Sequence, residues 1–120
     1  MATAISVDTG SGVPDTTGYE AIYQGEISFS GNYVTGGDTL SFGNGAIISN
    51  SVPNRAEIYE QPNIGQTASN YSFVYVPGTT IANGKIQLFA PGGAQLAAGA
   101  YPGAIAATVV KFRAWFGRGA

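Results

Sequence analysis

The sequence predicts an all-β chain, a single antiparallel β-sandwich or small barrel of about seven or eight short strands. Three observations predict it. Eighteen glycines and six prolines cut the 120 residues into short pieces. No window sustains the i, i+3, i+4, i+7 apolar spacing of an amphipathic helix, and turn residues recur about every ten positions. A chain of this length buries roughly two-thirds of its unfolded surface, enough for one core.

Residues 1–18 are rich in Thr, Ser, Gly and Asp, with only a brief Ala4-Ile5-Ser6-Val7 alternation. They read as a flexible N-terminal arm or an edge strand, and residues 19–120 as the sandwich domain. From Tyr19 to Phe29 the positions Tyr23, Gly25, Ile27 and Phe29 alternate with Gln24, Glu26 and Ser28, the period of a half-buried strand. Gly31 and Gly36-Gly37-Asp38 supply turns around Tyr33-Val34 and lead into Thr39-Leu40-Ser41-Phe42. Gly43-Asn44-Gly45 is a further turn, followed by a short apolar run over residues 46–49.

Between Arg55 and Gln61, Ala56, Ile58 and Glu60 face one way and Arg55, Glu57 and Tyr59 the other, with Pro62 ending the ladder. Tyr71 to Val76 and Lys85 to Phe89 are dense in β-branched and aromatic residues and pair as a hairpin with an irregular tip over Pro77–Gly84. Ala90 to Gly103, dominated by small residues, reads as loop. The clearest alternation closes the chain: Val110, Phe112, Ala114 and Phe116 belong to the core, and Val109, Lys111, Arg113 and Trp115 to an exposed or interfacial face.

Composition narrows the chemistry. With no cysteine and no histidine, thiolate nucleophiles, thiolate metal sites and the commonest general base are absent together. The acids Asp8, Asp15, Glu20, Glu26, Asp38, Glu57 and Glu60 are scattered without ligand spacing, and no serine has an activating base at motif distance. Gly43 and Gly45 precede no helix, so they make turns and not a phosphate cradle. Asn70-Tyr71-Ser72 matches a glycosylation acceptor, which matters only in a secreted eukaryotic protein. The reading is of no enzyme, no metal and no cofactor.

Charged residues are 10% of the chain, against about a quarter in an ordinary domain. A surface so thinly charged resists association poorly, so it reads as one meant to be covered by other protein. Lys111, Arg113 and Arg118 lie in the last ten positions, whereas the earlier residues hold all seven acids with Arg55 and Lys85. Three charges are too few for a nucleic-acid footprint and suit contact with an acidic neighbour surface. No run of 18 apolar residues is present, and residues 1–12 lack the pattern of a secretory signal, so no membrane is expected and synthesis in a cytoplasm is. The candidate interface is Lys111, Arg113, Trp115 and Arg118, joined by Tyr101.

The series Tyr19-x-x-x-Tyr23-x-Gly25, Gly31-x-Tyr33, Gly36-Gly37-Asp38-Thr39-Leu40-x-Phe42, Tyr75-x-Pro77-Gly78-Thr79-Thr80, Ala98-Gly99-Ala100-Tyr101-Pro102 and Lys111-Phe112-Arg113-Ala114-Trp115-Phe116 resembles small decoration, or cement, proteins of tailed bacteriophage heads. The resemblance spans about residues 19 to 116 and rests on turn glycines and strand ends, not on a reactive motif. It implies a jelly-roll-like sandwich, made in a bacterial cytoplasm and carried on the virion, that binds the outer capsid surface as a homodimer or homotrimer and clamps neighbouring major capsid subunits. The alternative is a carbohydrate-binding or fibre-tip module in which exposed tyrosines and Trp115 stack on sugar rings. A hydrolase built on converging carboxylates is the third reading.

Overall fold

The computed structural model describes residues 3–8, 20–43, 47, 52–106 and 108–117. They form nine strands and one helical turn: β1 Thr3–Val7, β2 Glu20–Phe29, β3 Asn32–Tyr33, β4 Asp38–Leu40, β5 Arg55–Glu60, β6 Ser72–Val76, β7 Gly84–Phe89, β8 Gly99–Ala100, α1 Gly103–Ala106 and β9 Val110–Gly117. All pairing is antiparallel. A four-stranded sheet runs β1-β2-β9-β5, a three-stranded sheet runs β4-β7-β6, and β3 pairs with β8 as a small ribbon.

The two larger sheets form a sandwich, with β1 beside β4 and β5 beside β6 where their flanks meet. The chain crosses between sheets at each long connection: β2 in the first, β4 in the second, β5 back, β6 across again. β9 returns to lie between β2 and β5. An early and a late strand side by side in this way is the jelly-roll-like connectivity. It is shortened here, because β6 turns directly into β7.

The core follows from the two-residue period. Tyr23 and Ile27 of β2 and Val110, Phe112, Ala114 and Phe116 of β9 point inward, against Leu40, Ile86 and Leu88 of the three-stranded sheet. Phe42, one residue beyond Ser41 and fully buried, fills the space between, its ring 5.3 Å from Phe112 and from Tyr75 and 5.9 Å from Phe116. Burial of each side chain of this size contributes about 1.5–3 kcal/mol, so these rings hold the sheets together.

The turns are specified locally. Gly36 and Gly37 adopt φ of 91° and 120°, conformations that favour glycine, and the Gly37 amide donates to the Val34 carbonyl at 3.0 Å. At the β6–β7 tip the Asn83 side-chain oxygen accepts from the amides of Thr79 and Thr80 at 2.9 and 2.8 Å, which fixes an irregular hairpin.

Of the two readings open for the N-terminus, Thr3–Val7 take the edge strand: β1 pairs with β2 from Thr3↔Phe29 to Val7↔Gly25, and the Thr3 hydroxyl donates to the Thr39 carbonyl at 2.6 Å. Residues 9–18 lie outside the described part, as do residues 44–46 and most of the apolar run after them; Ile47 alone of that run is described, and it is buried. The segment 90–103 is not simple loop. Gln95 bridges back to Phe89, Gly99–Ala100 pairs with Asn32–Tyr33, and Gly103–Ala106 closes one helical turn. Small residues carry no periodic signal, and β8 is held by a partner distant in sequence.

Candidate functional site

β9 runs through the middle of the four-stranded sheet, so its outward residues sit at the centre of that sheet's outer face. Lys111, Arg113 and Trp115 are those residues, all half-buried by their neighbours. The ladder fixes what flanks them. Lys111 lies between Glu26 and Tyr59, Arg113 between Gln24 and Glu57, and Trp115 between Ile22 and Arg55. Three of the chain's five basic residues therefore share one face, although Arg55 is far from the other two in sequence.

These charges are weakly committed within the molecule. The Arg55 guanidinium stacks 3.9 Å from the centre of the Trp115 ring, a cation–π contact worth about 0.5–1 kcal/mol at an exposed site. Lys111 Nζ stands 3.9 Å from Asp8 Oδ2, at the outer limit of an ion pair. A terminal nitrogen of Arg113 donates to Gln24 Oε1 at 3.5 Å, and its Nε is buried with no acceptor. Glu57, exposed and directly opposite Arg113, makes no ion pair with it within 4 Å. The face is a chequer of opposite signs and not the basic patch that the last ten residues suggest by themselves.

Tyr101 belongs elsewhere. The residue after β8 is half-buried at the end of the sandwich, where its ring packs 5.2 Å from Phe29 and edge-on 6.0 Å from Tyr33. Its hydroxyl donates to the buried Asp38 carboxylate, whose other oxygen accepts from the Thr39 amide at 2.9 Å. Burial, together with the bond to Asp38 and its charge, holds the phenol well above the ordinary tyrosine range. The Tyr33 hydroxyl accepts from the Leu88 amide at 3.3 Å and the Gln95 side chain at 3.1 Å. This cluster ties the β3–β8 ribbon to the three-stranded sheet. Sequence reading missed it because Asp38 follows two glycines and reads as a turn residue. Arg118, the remaining candidate, lies outside the described residues.

No group of three or more Asp or Glu side chains converges among the described residues. Glu60 accepts from the Ser69 amide at 2.7 Å, Asp38 holds Tyr101, and Glu26 and Glu57 are dispersed on the charged face. A groove of about 420 Å³ lies beside β1 and the end of β2, its lining including Ala4, Ser6, Ser28, Thr108 and Val109. The Thr108 hydroxyl is buried there without a partner. No described aromatic ring is fully exposed, and the Arg55 guanidinium covers Trp115.

What the arrangement can do is bind over an area. Its central Arg and Trp are the residue types that carry most energy in protein interfaces. Comparison with family models, curated proteins and solved structures finds no match to the chain.

Proposed function

We propose that this chain is a structural virion protein, a capsid decoration protein that binds the outside of a tailed-phage head through the outer face of its four-stranded sheet and stabilises contacts between major capsid subunits. The observation that carries the reading is the set Arg55, Glu57, Lys111, Arg113 and Trp115 gathered on one sheet face with internal partners that are long, weak or lacking. A guanidinium whose terminal nitrogen is held only at 3.5 Å by Gln24 gains a strong charge-assisted bond when a neighbour supplies a carboxylate to that end. Such a face needs no pocket and no cofactor, and the sparse charge elsewhere suits a molecule whose other surfaces are also covered.

The test is co-sedimentation with head shells stripped of outer proteins. The parent chain should pellet with the shells at saturating occupancy. The double variant Lys111→Glu, Arg113→Glu, each reversal costing about 1.4 kcal/mol or more of binding, should need roughly a hundredfold higher concentration. A parent chain that stays in the supernatant, or a double variant that binds as the parent does, would remove the reading. Truncation before Glu20 is not an equivalent test, because it takes away β1 and with it one strand of the sheet.

A further inference from the structure

The tip between β6 and β7 holds a reactive side chain that capsid binding does not use. Asn83 reaches back across the loop of residues 77–83: its Oδ1 accepts from the amides of Thr79 and Thr80 at 2.9 and 2.8 Å, and its Nδ2 donates to the Thr79 hydroxyl at 2.8 Å. Gly78 makes room for it. A Cβ at that position would stand 2.1 Å from Asn83 Oδ1 and 2.6 Å from the Asn83 carbonyl oxygen.

Asn83 is followed by Gly84, and an asparagine before a glycine carries its own reaction. With no Cβ to hinder it, the glycine nitrogen can reach the asparagine Cγ. The Gly84 nitrogen gives its proton to water or hydroxide and forms the N–Cγ bond; the Cγ–Nδ2 bond breaks and ammonia leaves, which closes a succinimide. Water then opens the ring. Cleavage of the N–Cγ bond gives aspartate, and cleavage between the same nitrogen and the main-chain carbonyl carbon of residue 83 gives isoaspartate, with the main chain rerouted through the former side chain. One water enters and one ammonia leaves, and no oxidant or reductant is needed.

Both reacting groups are held in the folded chain. The three hydrogen bonds fix the Asn83 amide against Thr79 and Thr80. Gly84 is buried as the first residue of β7, paired with Leu40, and the Tyr75 hydroxyl oxygen lies 2.3 Å from where a Gly84 Cβ would be. Ring closure requires the two groups to swing into contact at an attacking angle, and the shut tip holds each of them in place. We infer that Asn83 is a conditional deamidation site, protected by the closed β6–β7 tip and converted when the tip opens. The bonds that shut the tip join the exposed residues Thr79, Thr80 and Asn83, and exposed hydrogen bonds of a loop open at lower cost than those of a core strand. The isoaspartate product has an extra methylene in its main chain and no Nδ2, so it cannot remake the three bonds, and each such conversion leaves the tip open for good. No residue of the charged face takes part, so this inference stands or falls apart from capsid binding.

The test follows the parent chain in warm, mildly alkaline buffer with and without concentrated urea, reading the exchange of ammonia for water by mass spectrometry of the fragment that carries residue 83. The folded parent should convert more than tenfold more slowly than the unfolded one. Gly78→Ala, whose methyl group meets Asn83 Oδ1, should speed conversion of the folded chain several-fold. Thr79→Ala, at an exposed site, removes only the acceptor of Nδ2 and should speed it by a smaller factor, with an unchanged circular dichroism spectrum. In urea both variants should convert as the parent does. Equal rates in the folded and unfolded parent, no conversion of the unfolded parent, or folded Gly78→Ala and Thr79→Ala chains that both convert as slowly as the folded parent would each overturn the inference.

Discussion

Replacing Gly25 with alanine tests how β1 is held. Gly25 lies on the inward face of β2, paired with Val7 on one side and Phe112 on the other. A Cβ placed there would stand 1.8 Å from the Ser6 carbonyl oxygen and 2.9 Å from the Phe112 ring, where ordinary contact begins at 3.4 Å. Phe112 is fully buried and has no room to withdraw. The strain must therefore be relieved by β1, whose end has to move by about 1.5 Å. Losing two ladder hydrogen bonds at about 1 kcal/mol each and the partial burial of Val7 at about 1 kcal/mol gives a destabilisation of about 3 kcal/mol. For a chain of this size that is a fall in Tm of roughly 10 °C. Urea and thermal unfolding followed by circular dichroism measure both quantities. A Gly25→Ala protein within 0.5 kcal/mol of the parent would refute the close approach of β1 and its place in the sheet.

Tyr101→Phe strips the buried Asp38 carboxylate of a donor and should cost about 1–3 kcal/mol in urea unfolding at pH 8. Because the folded state holds the Tyr101 proton that an unfolded chain releases near pH 10, this stabilisation is complete below about pH 10 and is lost as pH rises further. The gap between parent and variant should narrow at pH 11, and a constant gap would contradict the Asp38 contact. Arg113→Val removes a charge whose Nε lacks an acceptor and places a β-branched residue in a central strand; its stability should match or exceed that of the parent within about 1 kcal/mol. A loss above 2 kcal/mol would make Arg113 a structural residue, and the charged face would lose its central argument.

The residues that sequence reading placed well are those whose environment alternates along one strand. Val110, Phe112, Ala114 and Phe116 are all buried, and Lys111, Arg113 and Trp115 all face outward, because a strand with one packed and one open face writes the period of two directly into the chain. The same holds for β2 and for the β6–β7 hairpin, whose partner lies close in sequence. Where the determinant is a distant partner, the signal vanishes. Ala4-Ile5-Ser6-Val7 is too short to separate strand from arm, and what decides it is the bare α-carbon of Gly25 together with the Thr39 carbonyl that receives Thr3. Tyr101 reads with the basic C-terminus because it is near in sequence, yet β3 and Asp38 draw it to the end of the sandwich.

The charged face is the sharpest case of this limit. In sequence Lys111, Arg113 and Arg118 form a basic cluster apart from the acids, and the natural complement of such a cluster is an acidic surface. The ladder interleaves two of them with Glu26 on one neighbouring strand and with Glu57 and Arg55 on the other, so that each sign lies beside its opposite. Long-range attraction from such a surface largely cancels beyond about a Debye length. What survives is short-range and depends on register: a neighbour must present acceptors and donors at the spacing of adjacent strands, or like charges meet at contact. A face of this kind selects its partner by position more than by net charge. That is the property the proposed binding to a repeating shell would require.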